Sequence, residues 1–131
     1  MTPIISIEAL YLQSRTKTPD IPILKDVIPY LTRSPGISGK TLAKVLGTKR
    51  AMLSAAIQLL TGASLNDMLR QWRLLNAMYL LRNTTLSYAQ VATECGFSGN
   101  RTLSRFLERE IHCTAYEYRT GTSNRHKGIG R

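Results

Sequence analysis

Acidic residues are scarce in this sequence of 131 residues, which contains 8 aspartates and glutamates against 18 lysines and arginines. The formal net charge is therefore +10. So large a surplus in a small chain favours a polyanionic partner, above all nucleic acid, with an acidic protein or membrane face as the lesser class. A surface charged only for solubility is the alternative. A chain of this length can bury one adequate core, so we expect one compact domain with tails.

Cysteines, catalytic motifs and long apolar runs are also few or missing. Cys95 and Cys113 are eighteen positions apart without a CxxC pair, so the sequence predicts neither a metal site nor a disulfide framework, and no cofactor is expected. No run is apolar enough to cross a bilayer, and Met1–Leu10 lacks the features of an export signal, which favours a cytoplasmic protein. Neither His112 nor His126 has a carboxylate partner in motif spacing, and no P-loop or G-x-S-x-G occurs. We therefore expect no catalytic residue and no enzyme.

Strand signals are almost absent, and the chain instead shows about seven short helices separated by capping residues and glycines. The expected helices cover residues 22–33, 39–46, 49–60, 65–82, 88–95, 99–110 and 115–119. Ser98 is the expected cap of the sixth helix. The longest helix, Leu65–Arg82, would be a rod of ~27 Å at the α-helical rise. The sequence thus predicts an all-α fold.

The expected organisation has four parts. Residues 1–19 are predicted to be a flexible N-terminal arm, with a short helix over Ile4–Leu12 as the alternative. Residues 20–83 would form a first unit that includes the linker helix 65–82, and residues 84–119 a second unit. Residues 120–131 lack apolar periodicity and are predicted to be a basic, disordered tail.

The two halves of the chain repeat each other. Ala43–Gly47 aligns with Ala92–Gly96 at an offset of 49 residues, and after one extra turn residue Leu53 aligns with Leu103 at an offset of 50. Each half is therefore a helix, a glycine-containing turn and a second helix, the helix-turn-helix pattern whose second helix enters a DNA major groove. Two such helices that read one side of DNA lie ~34 Å apart, which is one turn of the duplex. A linker helix of ~27 Å, together with the width of the helices at its two ends, matches this distance.

Residues of both halves carry a family resemblance. In the second half they are Gly96, Phe97, Ser98, Leu103, Ser104, Arg105, Thr114, Tyr118 and Arg119. In the first half they are Leu42, Ala43, Leu53, Ser54, Thr61, Gly62, Arg73, Ala77, Leu80 and Leu81. This set resembles the signature of AraC/XylS-type transcription regulators over roughly residues 20–119. The resemblance implies a bacterial DNA-binding module of two homeodomain-like helix-turn-helix units joined by a long helix.

The sequence departs from this signature at four positions. Leu103 and Leu107 replace aromatic residues, His112 replaces a glycine, and Ala115 replaces a proline. None of these changes removes a DNA-facing group. We expect His112 to adopt the left-handed turn conformation at some cost in strain.

A polar stripe on the last long helix is the first candidate for reading DNA bases. By the resemblance, Asn100, Arg101, Ser104 and Arg105 match the positions that face DNA in the second unit. The arginine fork can meet guanine O6 and N7 together, and asparagine can do the same to adenine. Arg101 is therefore the expected base reader, whereas Arg105 could equally bind phosphate. The alternative is a solvated basic helix face.

The first unit is predicted to be a weaker reader. By the same alignment its base-facing positions are Ala51, Ser54 and Ala55, whose small side chains cannot make bidentate contacts, although alanine can touch a thymine methyl. Lys49 and Arg50 would bind the phosphate backbone. The hypothesis is an asymmetric reader, in which the first unit tolerates sequence variation and the second unit reads bases.

On the linker helix, Arg73 matches a well-known arginine of the family, and the resemblance implies that it contacts phosphate. The alternative is a structural ion pair with Asp20 or Asp26. Trp72 falls on the apolar stripe of the same helix, so we expect a core residue rather than a platform for base stacking.

Two functional classes remain open. The first is a sequence-specific regulator of transcription that binds double-stranded DNA by inserting two recognition helices in successive major grooves. The second is a basic helical adaptor that binds an acidic protein. The resemblance also implies contact with RNA polymerase and a location at the nucleoid. Binding as a monomer is favoured, because one chain already carries two units.

Overall fold

The computed structural model describes residues 5–15 and 22–121, which form eight helices and contain no strand. The helices are α1 (Ile7–Ser14), α2 (Pro22–Arg33), α3 (Gly39–Val45), α4 (Arg50–Thr61), α5 (Leu65–Asn83), α6 (Tyr88–Glu94), α7 (Asn100–Ile111) and α8 (Ala115–Thr120). The predicted all-α fold is confirmed, and α1 is the helix beyond the expected seven. Residues 1–4 and 16–19 of the predicted arm and residues 122–131 of the predicted tail lie outside the described residues.

Helix α1 lies where the sequence predicts a loosely held arm. Its Ile7, Leu10 and Tyr11 are buried, at the i, i+3, i+4 spacing of one helix face. The ring of Tyr11 meets Trp72 edge-on, with the centroids 5.0 Å apart and an interplanar angle of 76°. The flexible arm is therefore wrong for residues 7–14, and the alternative of a short helix is confirmed from Ile7 to Leu12. The reason is that this stripe has an apolar surface to bury against. Trp72 is a core residue, as expected.

The chain divides into two compact units, Met1–Leu75 and Asn76–Arg131, with the boundary inside α5. The sequence predicts instead that the whole linker helix belongs to the first unit. The end of α5 groups with the second unit because it is bonded there: Arg119 Nε donates to the carbonyl of Leu81 over 2.9 Å. Ala77, one turn earlier, is fully buried.

The core of the first unit is a set of apolar stripes from α1 to α5. Helix α2 buries four residues at helical spacing, which are Leu24, Val27, Ile28 and Leu31. Helices α3 and α4 pack together through Leu42, Leu53 and Ile57, all of which are inaccessible to solvent or nearly so. Helix α5 closes the core with Leu65 and Met68.

The core of the second unit is smaller and follows the same plan. Helices α6 and α7 pack together, and Val91, Leu103 and Leu107 have no exposed surface. Cys95 is also fully buried, and its sulfur accepts a hydrogen bond of 3.6 Å from Asn76 Nδ2. The leucines that replace the family's aromatic residues are thus core residues.

The internal repeat is confirmed in the backbone. Helices α3 and α6 both contain seven residues, and α4 and α7 both contain twelve. The glycines that end α3 and α6 take the left-handed conformation, with φ of 70° at Gly47 and 83° at Gly96. In each turn the following N–H returns to an alanine carbonyl. These bonds run from Thr48 to Ala43 (3.0 Å) and from Phe97 to Ala92 (2.8 Å), the Schellman pattern.

Hydroxyl caps recur at the same places in both units. Each accepts a hydrogen bond from the backbone N–H three residues later, which satisfies a donor at the start of the helix. The bonds are Thr41 to Ser38 (3.2 Å), Asp67 to Ser64 (3.1 Å), Gln90 to Ser87 (3.1 Å) and Glu117 to Thr114 (3.1 Å). The repeat thus extends to the residues that set the helix ends.

Candidate nucleic-acid interface

Helix α7 presents the polar stripe that the sequence singles out. Its buried side consists of Leu103, Phe106 and Leu107. The predicted base-facing residues lie on the same helix away from this side: Asn100, Arg101 and Arg105 are exposed and Ser104 is half-buried. Two exposed arginines one helical turn apart, beside an exposed asparagine, form a surface that can donate several hydrogen bonds to one partner.

The start of α7 differs from expectation. Gly99, rather than Ser98, is the cap residue, with an extended backbone (φ 177°) and no side-chain cap. The hydroxyl of Ser98 is instead hydrogen-bonded to that of Thr102 over 2.8 Å. The prediction that Ser98 caps this helix is therefore wrong, because its hydroxyl pairs with a side chain one turn into the helix instead.

The end of α7 carries a strained residue. His112 is left-handed, with φ 60° and ψ 30°, and it is the sole residue other than glycine with positive φ among those described. Its N–H donates to the carbonyl of Glu108 over 3.0 Å. Gly62 ends α4 in the same way, with φ 78° and a bond of 2.9 Å to Gln58. The expected conformation of His112 is thus confirmed.

Helix α4 has a different surface from that of α7. Ala51 and Ala55 are exposed, whereas Ser54 is half-buried and its hydroxyl accepts a hydrogen bond of 3.4 Å from the N–H of Leu65. Part of the hydrogen-bonding capacity of Ser54 is therefore used within the protein, at the start of α5.

Met52 and Leu59 were not predicted from the sequence as part of this surface. Met52 is 64% exposed and Leu59 is 60% exposed, both on α4. At 100° per residue, Ala51 and Ala55 lie about 160° from the buried Leu53. Met52 and Leu59 lie about 100° and 120° from it, so all four positions are on the outward half of the helix. The helical spacing of these residues was a signal that could have revealed them.

The cationic residues beside α4 differ in their partners. Lys49 is the exposed cap residue of α4 and makes no side-chain cap. Arg50 is exposed, but its Nη2 donates a hydrogen bond of 2.7 Å to Asn66 Oδ1 at the start of α5. A Cβ on Gly39 would lie 3.2 Å from Arg50 Nε and 3.0 Å from Leu65 Cδ2, so glycine permits this close approach. The bond to Asn66 thus orients the Arg50 guanidinium. Because a guanidinium has five N–H donors, Arg50 can still donate a hydrogen bond to a further acceptor.

Arg73 lies in the part of α5 that belongs to the first unit, and its side chain is half-buried. One turn earlier, Arg70 is paired with Asp67 at 3.3 Å. Of the two acids considered as partners of Arg73, Asp26 is exposed on α2 and Asp20 lies outside the described residues.

Comparison with known proteins fits this duplicated arrangement of helices. A family model described as a helix-turn-helix domain matches residues 42–121, which is more than half of the chain. The chain belongs to the AraC-type helix-turn-helix family. The match begins within α3 and continues through the end of α8, so it includes α4, the linking helix α5 and the whole second helix pair.

Curated relatives of this AraC-type chain agree with the assignment. The HTH-type transcriptional activator RhaR of Enterobacter sp. (strain 638) is 39% identical over 59 residues, which make up 45% of this chain and 21% of that protein. The chain therefore spans about a fifth of the length of the curated relatives that it matches.

Solved structures show the same fold. The DNA-binding domain of AdpA, a global transcriptional factor in complex with a target DNA, is 25% identical with a TM-score of 0.66, over 81% of this chain and 96% of that one. A transcriptional regulator of Chromobacterium violaceum with an AraC-type DNA-binding domain is 24% identical with a TM-score of 0.62, over 76% and 90% of the two chains.

Two arginines of the AraC-type chain are used for packing within the second unit. Arg119 donates to the carbonyl of Leu81 over 2.9 Å and lies 4.9 Å from the ring centroid of Tyr88. Arg82 donates to the carbonyl of Tyr118 over 2.8 Å and lies 4.0 Å from the centroid of that ring. The Tyr118–Arg119 pair of the family signature therefore anchors the end of α5, where carbonyls lack helical partners.

Other kinds of site are not evident in the described part of this AraC-type chain. No three His, Cys, Asp or Glu side chains come together there as a metal site. Cys95 and Cys113 are not joined in a disulfide bond, and Cys113 is half-buried. No helix among these residues combines the length and the apolar character needed to span a bilayer.

Proposed function

We propose that this AraC-type chain is a sequence-specific regulator of transcription that binds double-stranded DNA, with α4 and α7 each entering a major groove. The observation that carries the proposal is the outward side of α7. Asn100, Arg101 and Arg105 are exposed there, on the second helix of a helix-turn-helix unit, which is the helix that reads bases in this motif.

The chemistry of α7 suits base readout. Arg101 lies in the first turn, and the first turns of a recognition helix approach base edges most closely. Its fork can bind guanine O6 and N7, while the amide of Asn100 can pair with adenine N6 and N7. Arg105, one turn further on, is proposed to contact either a base or a phosphate, and Ser104 to contact a base.

Affinity is proposed to come mainly from phosphate contacts. Lys49, Arg50 and Arg73 belong to the first unit, and the chain carries a net charge of +10. Each cation that neutralises a phosphate releases a counterion and makes binding more sensitive to salt. Arg50 is well placed for this role, because Asn66 holds its guanidinium and leaves other donors available.

The two units are proposed to contribute unequally. The outward side of α7 offers hydrogen-bond donors, whereas Ala51 and Ala55 of α4 offer none. The half-site of the second unit is therefore proposed to contain most of the sequence information, and the first unit to add affinity through the backbone. Equal information content in the two half-sites would contradict this asymmetry.

Binding as a monomer and contact with RNA polymerase, at the nucleoid, complete the proposal. One chain already contains two reading helices, so a single copy can occupy both half-sites. The polymerase contact rests on the family resemblance alone.

The decisive experiment is selection of bound sequences from random duplex DNA by the full chain, followed by titrations at several salt concentrations. We expect the selected duplex to be preferred over a scrambled one by about a thousandfold or more. The logarithm of the binding constant should fall linearly with the logarithm of salt concentration. Equal affinity for selected and scrambled duplexes would overturn the proposal and would favour a basic adaptor for an acidic protein.

A further inference from the structure

Most of the outward side of α4 is apolar, although the exposed Gln58 also lies there. Ala51, Met52, Ala55 and Leu59 are exposed on the half of the helix that faces away from the core. We call these four exposed residues the apolar face of α4. About three-fifths of the surface of Met52 and of Leu59 is exposed to water. These two side chains therefore bury little apolar area and contribute little to the stability of the fold.

The equivalent positions of α7 are all polar. Because both helices have twelve residues, and they begin at Arg50 and Asn100, position 51 corresponds to 101, 52 to 102, 55 to 105 and 59 to 109. At these positions α7 carries Arg101, Thr102, Arg105 and Arg109. The repeat thus places an apolar face in the first unit where the second unit has a polar, cationic one.

Apolar side chains have one partner among the base edges of the major groove, which is the C5-methyl group of thymine. Resting on the function proposed above, we infer that Met52, with Ala51 and Ala55, determines specificity by packing against thymine methyl groups. The smaller share of sequence information in the first half-site is then contained in thymines rather than in guanines.

Two further features favour DNA as the occupant of this face. Lys49 is exposed at the N-terminal end of the same helix, where it can bind a phosphate beside the groove. Arg50 is turned to Asn66 on α5, so its guanidinium does not compete for the base edges. The unbranched, polarisable side chain of Met52 can follow a methyl group over a range of positions.

The test replaces thymine by deoxyuridine in the selected duplex, one position at a time, and measures the affinity of the full chain. Deoxyuridine lacks the methyl group and keeps every hydrogen-bonding group. We expect each contacted methyl group in the first half-site to be worth about fourfold in affinity, as for one buried methylene. A first half-site without thymine, or one indifferent to every deoxyuridine, would overturn the inference.

Protein variants identify the residue that is responsible. In Met52→Gln, which keeps helix propensity and length, the difference between thymine and deoxyuridine should disappear at one position. In Leu12→Gln, which alters a leucine of α1 that is 62% exposed, the difference should remain. Loss of the difference in both variants, or in neither, would show that Met52 is not the reader.

The same measurements separate this inference from the proposed function. If no sequence is selected, the proposed function fails and the inference fails with it. If a sequence is selected and its second half-site depends on Arg101, but deoxyuridine has no effect in the first, the inference alone fails. If Met52→Gln converts a dimer into a monomer in analytical ultracentrifugation, the apolar face of α4 is an interface between copies and the inference is overturned.

Discussion

Arg50 Nη2 donates a hydrogen bond of 2.7 Å to Asn66 Oδ1, which joins the first turn of α4 to the first turn of α5. Both residues are exposed, so the bond should contribute about 1 kcal/mol or less to the free energy of unfolding. We expect Asn66→Ala and Arg50→Ala to lose similar stability in urea denaturation. Only Arg50→Ala should also lower the salt slope of DNA binding, by about 1, since it alone removes a charge. Equal salt slopes in the two variants would show that Arg50 does not neutralise a phosphate.

Substitution of Arg101 tests base readout by α7. Arg101→Ala should cost about 1–3 kcal/mol on the selected duplex and relax specificity at one base pair. Arg101→Lys is the matched control, because it keeps the charge but loses the fork, so the salt slope should remain while discrimination is lost. Competition binding against duplexes changed at each position measures both effects. An Arg101→Ala variant that binds as tightly as the parent would remove Arg101 from the readout.

Substitution of Arg73 tests a phosphate contact on α5. Arg73→Ala should weaken binding to all sequences alike and lower the salt slope by about 1, because a phosphate contact carries no base information. Arg70→Ala is the control on the same helix, since Arg70 is paired with Asp67 at 3.3 Å. We expect it to change the slope less. A loss of affinity confined to the selected sequence would contradict the assignment. Urea denaturation of the Arg73→Ala variant is the control that the half-buried arginine is not needed for folding.

Substitution of His112 tests the backbone strain at the end of α7. A left-handed residue other than glycine costs about 1–2 kcal/mol, and the greater conformational entropy of glycine in the unfolded chain offsets part of this gain. His112→Gly should therefore raise the free energy of unfolding by about 1 kcal/mol. The reciprocal change, Gly62→His at φ 78°, should lower stability by a similar amount. The midpoint of urea denaturation measures both. A His112→Gly variant less stable than the parent would show that the imidazole makes contacts that outweigh the strain.

Much of the fold could be predicted from the sequence, because its helix ends are specified locally. Hydroxyl caps and turn glycines determine where a helix begins and ends through bonds to residues three to five positions away. For this reason the observed α5, Leu65–Asn83, differs by one residue from the predicted 65–82. The duplication of helix, turn and helix was predictable for the same reason.

Side-chain partners distant in sequence could not be predicted. Tyr11 packs on Trp72, and this contact turns the expected loose arm into a helix with a buried side. Arg82 and Arg119 bond to carbonyls more than thirty residues away. Sequence patterns report which residues are cationic, but tertiary packing decides which of them point outward, so the candidate interface was predicted only in part.

The side chains that hold α4 and α7 in place are not those that point outward. The core fixes the buried Leu53 and Ile57 of α4 and the buried Leu103 and Leu107 of α7. The exposed positions 51, 52, 55 and 59 do not contribute to that core. Under the proposed function, mutational drift at these four codons can retarget one half of an operator at little risk to folding, while the other half is left unchanged. A small randomised library at the same codons could therefore yield regulators with new operators.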